Sequence, residues 1–145
     1  MKILFICTGN TCRIPMAEGL CNKILKDKNI KNVEVKSAGI STLPNMPPSK
    51  NAVLTLQKYG IDISTHRTIE LCNKLLKEAD QIFVMTSGHY NQLINQYPEF
   101  AHKISMLSEN DISDPYGLSL AEYERCAGEI EQSLLKIIQA LNYES

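Results

Sequence analysis

The sequence predicts an α/β protein in which a four-stranded parallel sheet carries helices on both faces. Four apolar runs of strand length alternate along the chain with segments of helical apolar spacing, as in proteins built on parallel sheets. The first run, residues 2–7, is almost continuously apolar, as expected for the buried centre of such a sheet. The 145 residues contain no repeat, low-complexity tract or linker, so we expect one domain spanning 1–145.

The next two elements follow from helical spacing and from turn residues. Residues 15–28 are predicted to form a helix, since their apolar residues recur on one helical face. These residues are Met16, Leu20, Ile24 and Leu25. Residues 33–37 alternate between apolar and polar and predict the second strand, which we expect to end at a turn formed by Ala38 and Gly39.

Loops and short helices follow in the middle of the chain. Residues 41–48 hold three prolines and little charge, and they lack any periodicity, which indicates a loop. Ser49 is expected to cap the next helix, and Gly60 to end it. Residues 61–68 are predicted to be a connector and residues 70–77 a short helix.

The second half of the chain supplies the remaining strands. Residues 81–85 are predicted to form the third strand, residues 87–97 a helix, and residues 103–107 a short fourth strand. A polar loop, 108–117, then leads into a long amphipathic helix over 118–142. Ligands of such sheets bind at the carboxyl ends of the strands, so we expect the functional site there.

Composition and charge exclude several classes of function. The formal net charge of −1 offers no general attraction to nucleic acid or to an anionic membrane. Five cysteines without a CxxC pair fit reduced thiols better than a disulfide framework or a zinc site. With no signal peptide and no apolar run long enough to span a bilayer, we expect a soluble cytoplasmic protein without a metal. His89 and His102 are expected to lie at the surface.

One segment has the layout of a phosphate site with a nucleophile. Cys7 ends the first strand, five residues follow, and Arg13 stands just before a helix that opens at Pro15. A loop between a strand and a helix N-terminus aims backbone N–H groups at an anion, and the same field favours a thiolate. The planar guanidinium of Arg13 can bind two phosphate oxygens at once. We therefore predict that Cys7 attacks phosphorus.

Four motifs together resemble the low-molecular-weight protein tyrosine phosphatases. They are CTGNTCRIPMAEG at 7–19, SAG at 37–39, HR at 66–67 and DPYG at 114–117. Their order and spacing agree with that family over nearly the whole chain. The resemblance implies a flavodoxin-like sheet and a cysteinyl-phosphate mechanism that needs no metal or other cofactor.

The resemblance also implies roles for single residues. Cys7 would be the nucleophile, Arg13 the phosphate clamp, and Asp114 the general acid that later activates water. Without the family, Asp114 would be an ordinary turn aspartate before proline. The phosphate would be bound by the loop residues Thr8, Gly9, Asn10, Thr11, Cys12 and Arg13.

Supporting roles are implied for residues around the loop. Asn10 would hold a left-handed conformation, with Ser37 and His66 hydrogen-bonded around it. The alternative for His66 is a surface histidine in a connector. Cys12 is a candidate to form a disulfide with Cys7 under oxidation, and equally a small packing residue.

Ile14 departs from the family pattern, which has serine after the arginine. Isoleucine cannot donate the hydrogen bond by which that serine supports the thiolate and the loop. A bond to a charged group is worth about 1.5–3 kcal/mol, so its loss corresponds to roughly one to two orders of magnitude in rate. We expect a working but slow enzyme, with a non-catalytic phosphate-binding protein as the alternative.

Thr11 bears on the identity of the substrate. Tyrosine-directed members usually have isoleucine or leucine there, whereas a threonine hydroxyl can hydrogen-bond a guanidinium. Residues 40–48 lack an aromatic side chain, and Gly117 stands where a second one is expected. CTGNTCR, SAGISTLPN and MTSGHYNQ resemble the bacterial protein-arginine-phosphatase branch, so phosphoarginine is favoured over phosphotyrosine. The alternative is a loop-filling threonine without influence on selectivity.

The expected partners are phosphorylated proteins, with inorganic phosphate as product and competitive inhibitor, and the protein is a monomer or a weak dimer. The rival enzyme is a thioredoxin-coupled arsenate reductase, which shares this fold. That chemistry needs two further cysteines on a mobile segment. The third strand continues without a cysteine, and Cys72 stands alone before it, which disfavours the reductase.

Overall fold

The computed structural model describes residues 1–7 and 12–142. Its strands are β1 (Lys2–Cys7), β2 (Glu34–Gly39), β3 (Gln81–Val84) and β4 (Ile104–Met106). Its α-helices are α1 (Arg13–Asp27), α2 (Lys50–Gln57), α3 (Asn73–Glu78), α4 (Ser87–Gln96) and α5 (Leu120–Asn142). A short 3₁₀ helix, Pro98–Lys103, precedes β4 and was not predicted.

The strands form one parallel sheet in the order β2-β1-β3-β4, with β1 at its centre. Successive residues of β1 point to opposite faces. Ile3 and Phe5 pack with α1, α2 and α5, whereas Leu4 and Ile6 pack with α3 and α4. The predicted fold class is confirmed: a four-stranded parallel sheet carries helices on both faces.

Several boundaries differ from the sequence-based expectation, and two of the differences arise at one contact. Ala38 and Gly39 do not form a turn but continue β2, and Gly39 pairs with Cys7 of β1. Gly39 also forms an isolated bridge with Glu70, so that the chain stays extended there and α3 begins only at Asn73. α1 begins at Arg13 rather than at residue 15.

This topology places the carboxyl ends of β1, β2 and β3 side by side, where the site was expected. The backbone of Ile40 returns directly to the cysteine, since its N–H donates to the carbonyl of Cys7 at 2.9 Å. Within the described ranges, no helix combines the length and apolar character that a membrane crossing requires.

Candidate active site

Cys7 lies at the end of the central strand and is fully buried. The residues that connect it to α1 include Thr8, Gly9, Asn10 and Thr11, and their predicted roles fall outside the described residues. The chain is described again from Cys12, immediately before α1. Cys7 and the first turn of α1 thus bracket the predicted phosphate loop.

Arg13 is the first residue of α1, and only 4% of its surface is exposed. Its Nη1 donates to the carbonyl oxygen of Ile112 at 2.7 Å, and its Nη2 lies 3.8 Å from Oδ2 of Asp114. The structure therefore brings together Arg13 and Asp114, which are 101 residues apart in the sequence. The guanidinium supplies a buried positive charge at the start of α1.

Asp114 uses its two carboxylate oxygens differently. Oδ1 accepts a hydrogen bond from the backbone N–H of Tyr116 at 3.0 Å, which folds the turn around the buried Pro115. Oδ2 is the oxygen nearest to Arg13. The side chain is 41% exposed, so its carboxyl group is open to solvent and to a leaving group. This placement suits a general acid.

The segment before Asp114 is anchored to the sheet and to α4. Ile112 is buried, and its N–H donates to the carbonyl of Met85 at 2.9 Å. The carboxylate of Asp111 accepts from the backbone N–H of Ser87, at the start of α4, at 2.8 Å. These contacts, with the bond from Arg13 to Ile112, fix the position from which Asp114 projects.

Ser37 and His66 both contact the side chain of Glu18, for which the sequence analysis predicted no role. Oε2 of Glu18 accepts from the hydroxyl of Ser37 at 2.7 Å and lies 3.1 Å from Nδ1 of His66. Their predicted contact with Asn10 falls outside the described residues. The structure joins Ser37 and His66 through Glu18, which lies one turn of α1 beyond Ile14 and within the motif quoted above. His66 is thus held in place rather than free at the surface.

Ile14 occupies an apolar position beside this group. It is 5% exposed and lines a cavity of about 10 Å³ together with Ser37, Gly39, His66 and others. The isoleucine side chain therefore faces the same small cavity as Ser37 and His66. Its apolar side chain offers no hydrogen bond at this place.

Cys12 belongs to a buried hydrogen-bond cluster with two hydroxyl groups. Its sulfur lies 3.1 Å from the hydroxyl of Tyr123 in α5 and 3.5 Å from that of Ser49. Ser49 also donates to Tyr123 at 3.2 Å and caps α2 as predicted, accepting from Ala52 N–H. Burial raises the pKa of the Cys12 thiol, and burial together with the bond to Cys12 raises the pKa of Tyr123 to about 12. Both groups are therefore uncharged at neutral pH.

His89 is buried, in contrast to the expected surface position; His102 is exposed as predicted. His89 lies in the first turn of α4, where its backbone N–H donates to Oγ1 of Thr86 at 3.1 Å. The long loop that carries Asp111 folds back over this turn. Burial lowers the pKa of His89, and the positive charge of Arg13 lowers it further, while the carboxylates of Asp111 and Asp114 act in the opposite direction. The result is a neutral imidazole at neutral pH.

The free energy of unfolding is expected to fall as the pH drops below 6.5, the unperturbed pKa of His89. The unfolded chain takes up this proton at a higher pH than the folded chain does. The share of the free energy of unfolding that comes from burying neutral His89 is therefore complete above pH 6.5 and is lost as the pH falls below that value. Denaturant unfolding of His89→Gln on both sides of this pH should show a weaker pH dependence than the parent, whereas His102→Gln should match the parent. An identical pH dependence in His89→Gln would contradict the assignment.

Among the residues that the structure describes, no group of three or more His, Cys, Asp or Glu side chains is arranged to hold a metal ion. Arg13, at the start of α1, and its neighbour Asp114 lie at the carboxyl end of the sheet, where β1 ends in Cys7. A guanidinium can bind a tetrahedral anion, a thiolate can act as a nucleophile and a carboxyl group can transfer a proton.

Comparison with known proteins gives the family of this chain. The family model "low molecular weight phosphotyrosine protein phosphatase" matches residues 2–145. The chain is 34% identical to the protein-arginine-phosphatase of Geobacillus stearothermophilus, over 99% of this chain and 97% of that protein.

Two solved structures have folds similar to that of this chain. A mutant of the YwlE arginine phosphatase with a phosphorylated active site serine superposes with a TM-score of 0.92 at 33% identity, covering 98% of this chain and 96% of that one. The low molecular weight protein tyrosine phosphatase of T. tengcongensis gives a TM-score of 0.91 at 43% identity, covering 97% and 99% of the two chains. The resemblance predicted from the motifs is confirmed, and the chain belongs to the low-molecular-weight phosphotyrosine protein phosphatase family.

Proposed function

We propose that this protein hydrolyses phosphorylated proteins through a phosphocysteine intermediate on Cys7. The observation that carries the proposal is the pairing of buried Arg13 with solvent-open Asp114 beside the strand that ends in Cys7. A binding protein needs the cation and the loop amides. A carboxyl group open to the leaving group is needed only for bond cleavage, and its presence favours an enzyme.

The proposed reaction has two steps. In the first, the Cys7 thiolate attacks phosphorus, the bond from phosphorus to the leaving atom breaks, and Asp114 gives that atom its proton. In the second, Asp114 removes a proton from water, the resulting hydroxide attacks phospho-Cys7, and inorganic phosphate leaves with the thiolate restored. Arg13 and the amides of residues 8–13 balance the charge on the phosphoryl oxygens in both steps.

A relative supports the covalent intermediate. The YwlE arginine phosphatase mutant carries a phosphorylated active site serine, so in that protein the phosphoryl group resides on the enzyme. The fold of the two chains superposes over nearly their whole length. We therefore assign the corresponding intermediate to Cys7 in this chain.

We further propose phosphoarginine as the preferred substrate. Thr11 lies in the loop and would offer its hydroxyl to a guanidinium, and the exposed carboxyl of Asp114 would both pair with that group and protonate its bridging nitrogen. Similarity to a protein-arginine-phosphatase over almost the full chain supports this choice. Phosphotyrosine and aryl phosphates would be secondary substrates, with Tyr116 as the one aromatic side chain of the DPYG motif.

Replacing Thr11 by isoleucine is expected to shift the preference from phosphoarginine to phosphotyrosine. The variant loses a hydrogen bond to a charged substrate group, worth about 1.5–3 kcal/mol, so the ratio of kcat/KM for the two peptides should change by about ten- to a hundredfold. Thr11→Ser keeps the hydroxyl and should keep the preference. An unchanged ratio in Thr11→Ile would remove Thr11 from the specificity assignment without affecting the proposed chemistry.

Ile14 favours one alternative, a phosphate-binding protein with little turnover, because the isoleucine adds no hydrogen bond next to the loop. Measurable hydrolysis of para-nitrophenyl phosphate by the parent protein would show that it is an enzyme and not only a phosphate-binding protein.

The remaining parts of the proposal are inhibition by inorganic phosphate, a cytoplasmic location, a monomer or weak dimer, and a disulfide between Cys7 and Cys12 formed by a peroxide oxidant.

A further inference from the structure

The large apolar side chains that the described residues leave exposed are concentrated around the candidate site. Six such side chains are exposed within these ranges, and one of them is Met1 at the start of the chain. The other five, here called the apolar rim, are Leu43, Met46, Ile69, Tyr116 and Leu118. All five lie on loops at the carboxyl end of the sheet, so their exposure is a property of this end of the molecule.

On one side of the rim, hydrogen bonds to Thr68 connect the backbone of Leu43 with that of Met46. The Thr68 hydroxyl donates to the carbonyl of Leu43 at 2.6 Å and accepts from the N–H of Met46 at 2.9 Å. The carbonyl of Ile69 accepts from the N–H of Gly39, the strand partner of Cys7, at 2.9 Å. The exposed side chains of this side are therefore carried by a backbone that is bonded to the sheet next to the nucleophile.

The other side of the rim consists of Tyr116 and Leu118, which come shortly after Asp114 in the chain. Tyr116 donates its N–H to that carboxylate, and the N–H of Leu118 donates to the carbonyl of Pro115 at 2.9 Å. The carbonyl of Leu118 accepts from Nδ2 of Asn51, in the first turn of α2, at 3.4 Å. Since α2 begins where the loop of Leu43 ends, this contact joins the two sides of the rim.

The two longer segments of the rim lack charge. Residues 40–49 and 115–121 contain no Asp, Glu, Lys or Arg, although 21% of the whole chain is charged; Ile69 lies between Arg67 and Glu70. Leu43 is 72% exposed and Tyr116 68% exposed, so these side chains are in water rather than packed on the core. Exposed apolar surface of this kind marks a site of contact with another molecule.

We propose that the apolar rim binds apolar side chains next to the phosphorylated residue of a protein substrate. This inference rests on the proposed function and adds a preference for the sequence around the phosphorylated residue. Tyr116 and Leu118 follow Asp114 directly, and Ile69 is bonded to Gly39, the strand partner of Cys7, so a phosphorylated segment that engages both Asp114 and Cys7 passes next to rim residues. Because the five rim side chains are uncharged, they offer no ion pair to acidic or basic neighbours of the phosphorylated residue, whereas contact with them removes apolar neighbours from water.

The test compares two phosphopeptides that differ only in their flanking residues, leucine in one and glutamate in the other, with para-nitrophenyl phosphate as the small reference substrate. In the parent, we expect the leucine peptide to have the higher kcat/KM. In Leu43→Ser and in Leu118→Ser, the ratio of kcat/KM for the leucine peptide to that for the reference should fall about tenfold, chiefly through KM. Leu43→Met retains apolar surface and should retain the ratio.

Equal use of the two peptides by the parent, or an unchanged ratio in both serine variants, would overturn the proposal. Parent dimers that both serine variants dissociate in sedimentation, with no peptide preference, would assign the rim to self-association instead. Absence of any turnover by the parent is a separate result, because it rejects the proposed phosphatase. In that case, peptide affinities measured by calorimetry for the parent and Leu43→Ser test the rim in the same way.

Discussion

Replacing Cys7 by serine is expected to abolish hydrolysis of para-nitrophenyl phosphate and of phosphopeptides. Cys7 is the residue from which the phosphate loop starts, and its sulfur is the proposed acceptor of the phosphoryl group. Serine keeps the size of the side chain but is not ionised at neutral pH, so the first step becomes far slower. In the second step, the serine of a phosphoserine once formed, as in the YwlE mutant, is a poorer leaving group than the cysteine of phosphocysteine. A loss on the order of 10⁶-fold in kcat is the size seen when a hydrolase loses its nucleophile.

Steady-state kinetics and unfolding measurements check this result together. Cys72→Ser is the matched control, because Cys72 is exposed and lies before α3, outside the site. It should keep both the turnover and the stability of the parent. A Cys7→Ser protein that is folded and still turns over substrate at a rate comparable to the parent would reject the covalent mechanism.

Replacing Arg13 by lysine is expected to lower kcat by about 10³-fold or more, in the range found when an arginine that stabilises a transferring phosphoryl group is removed. The planar guanidinium places one nitrogen on the carbonyl of Ile112 and another beside Asp114 at the same time. A single ammonium group cannot reproduce this geometry. Lysine therefore leaves the charge in place and removes the fork that fits the phosphoryl oxygens.

Arg125→Lys serves as the control, since Arg125 is exposed on α5 and pairs only with Glu122 among the contacts described for it. We expect it to behave like the parent. The loss in Arg13→Lys should appear in kcat for both phosphoarginine and phosphotyrosine peptides, because the phosphoryl group is common to them. Equal kcat values for parent and Arg13→Lys would show that the charge alone suffices.

The parts of the fold that depend on local spacing were predictable. Residues 2–7 form a buried strand as expected, because a nearly continuous apolar run of this length fits the centre of a parallel sheet. Ser49 caps α2 because its side chain reaches the N–H three residues later in the same segment. Cys7 ends β1 as predicted, whereas Arg13 lies in the first turn of α1 and not in the loop before it.

The parts that depend on contacts between distant segments were not predictable. Glu18 joins Ser37 and His66, and nothing in the spacing of three such polar residues shows that they share one carboxylate. The burial of His89 depends on a loop more than twenty residues later in the chain that folds back over α4. The start of α3 was misplaced for the same reason, because Glu70 pairs with Gly39 instead of entering the helix.

The cluster around Cys12 has a consequence for the order in which the protein matures during synthesis. The sulfur contacts Ser49, 37 residues later, and Tyr123, 111 residues later. Tyr123 reaches this place only when α5 has docked against α1 and α2. On the ribosome, Cys12 therefore emerges well before Tyr123, and it gains this contact only after the part of α5 that carries Tyr123 has also left the exit tunnel.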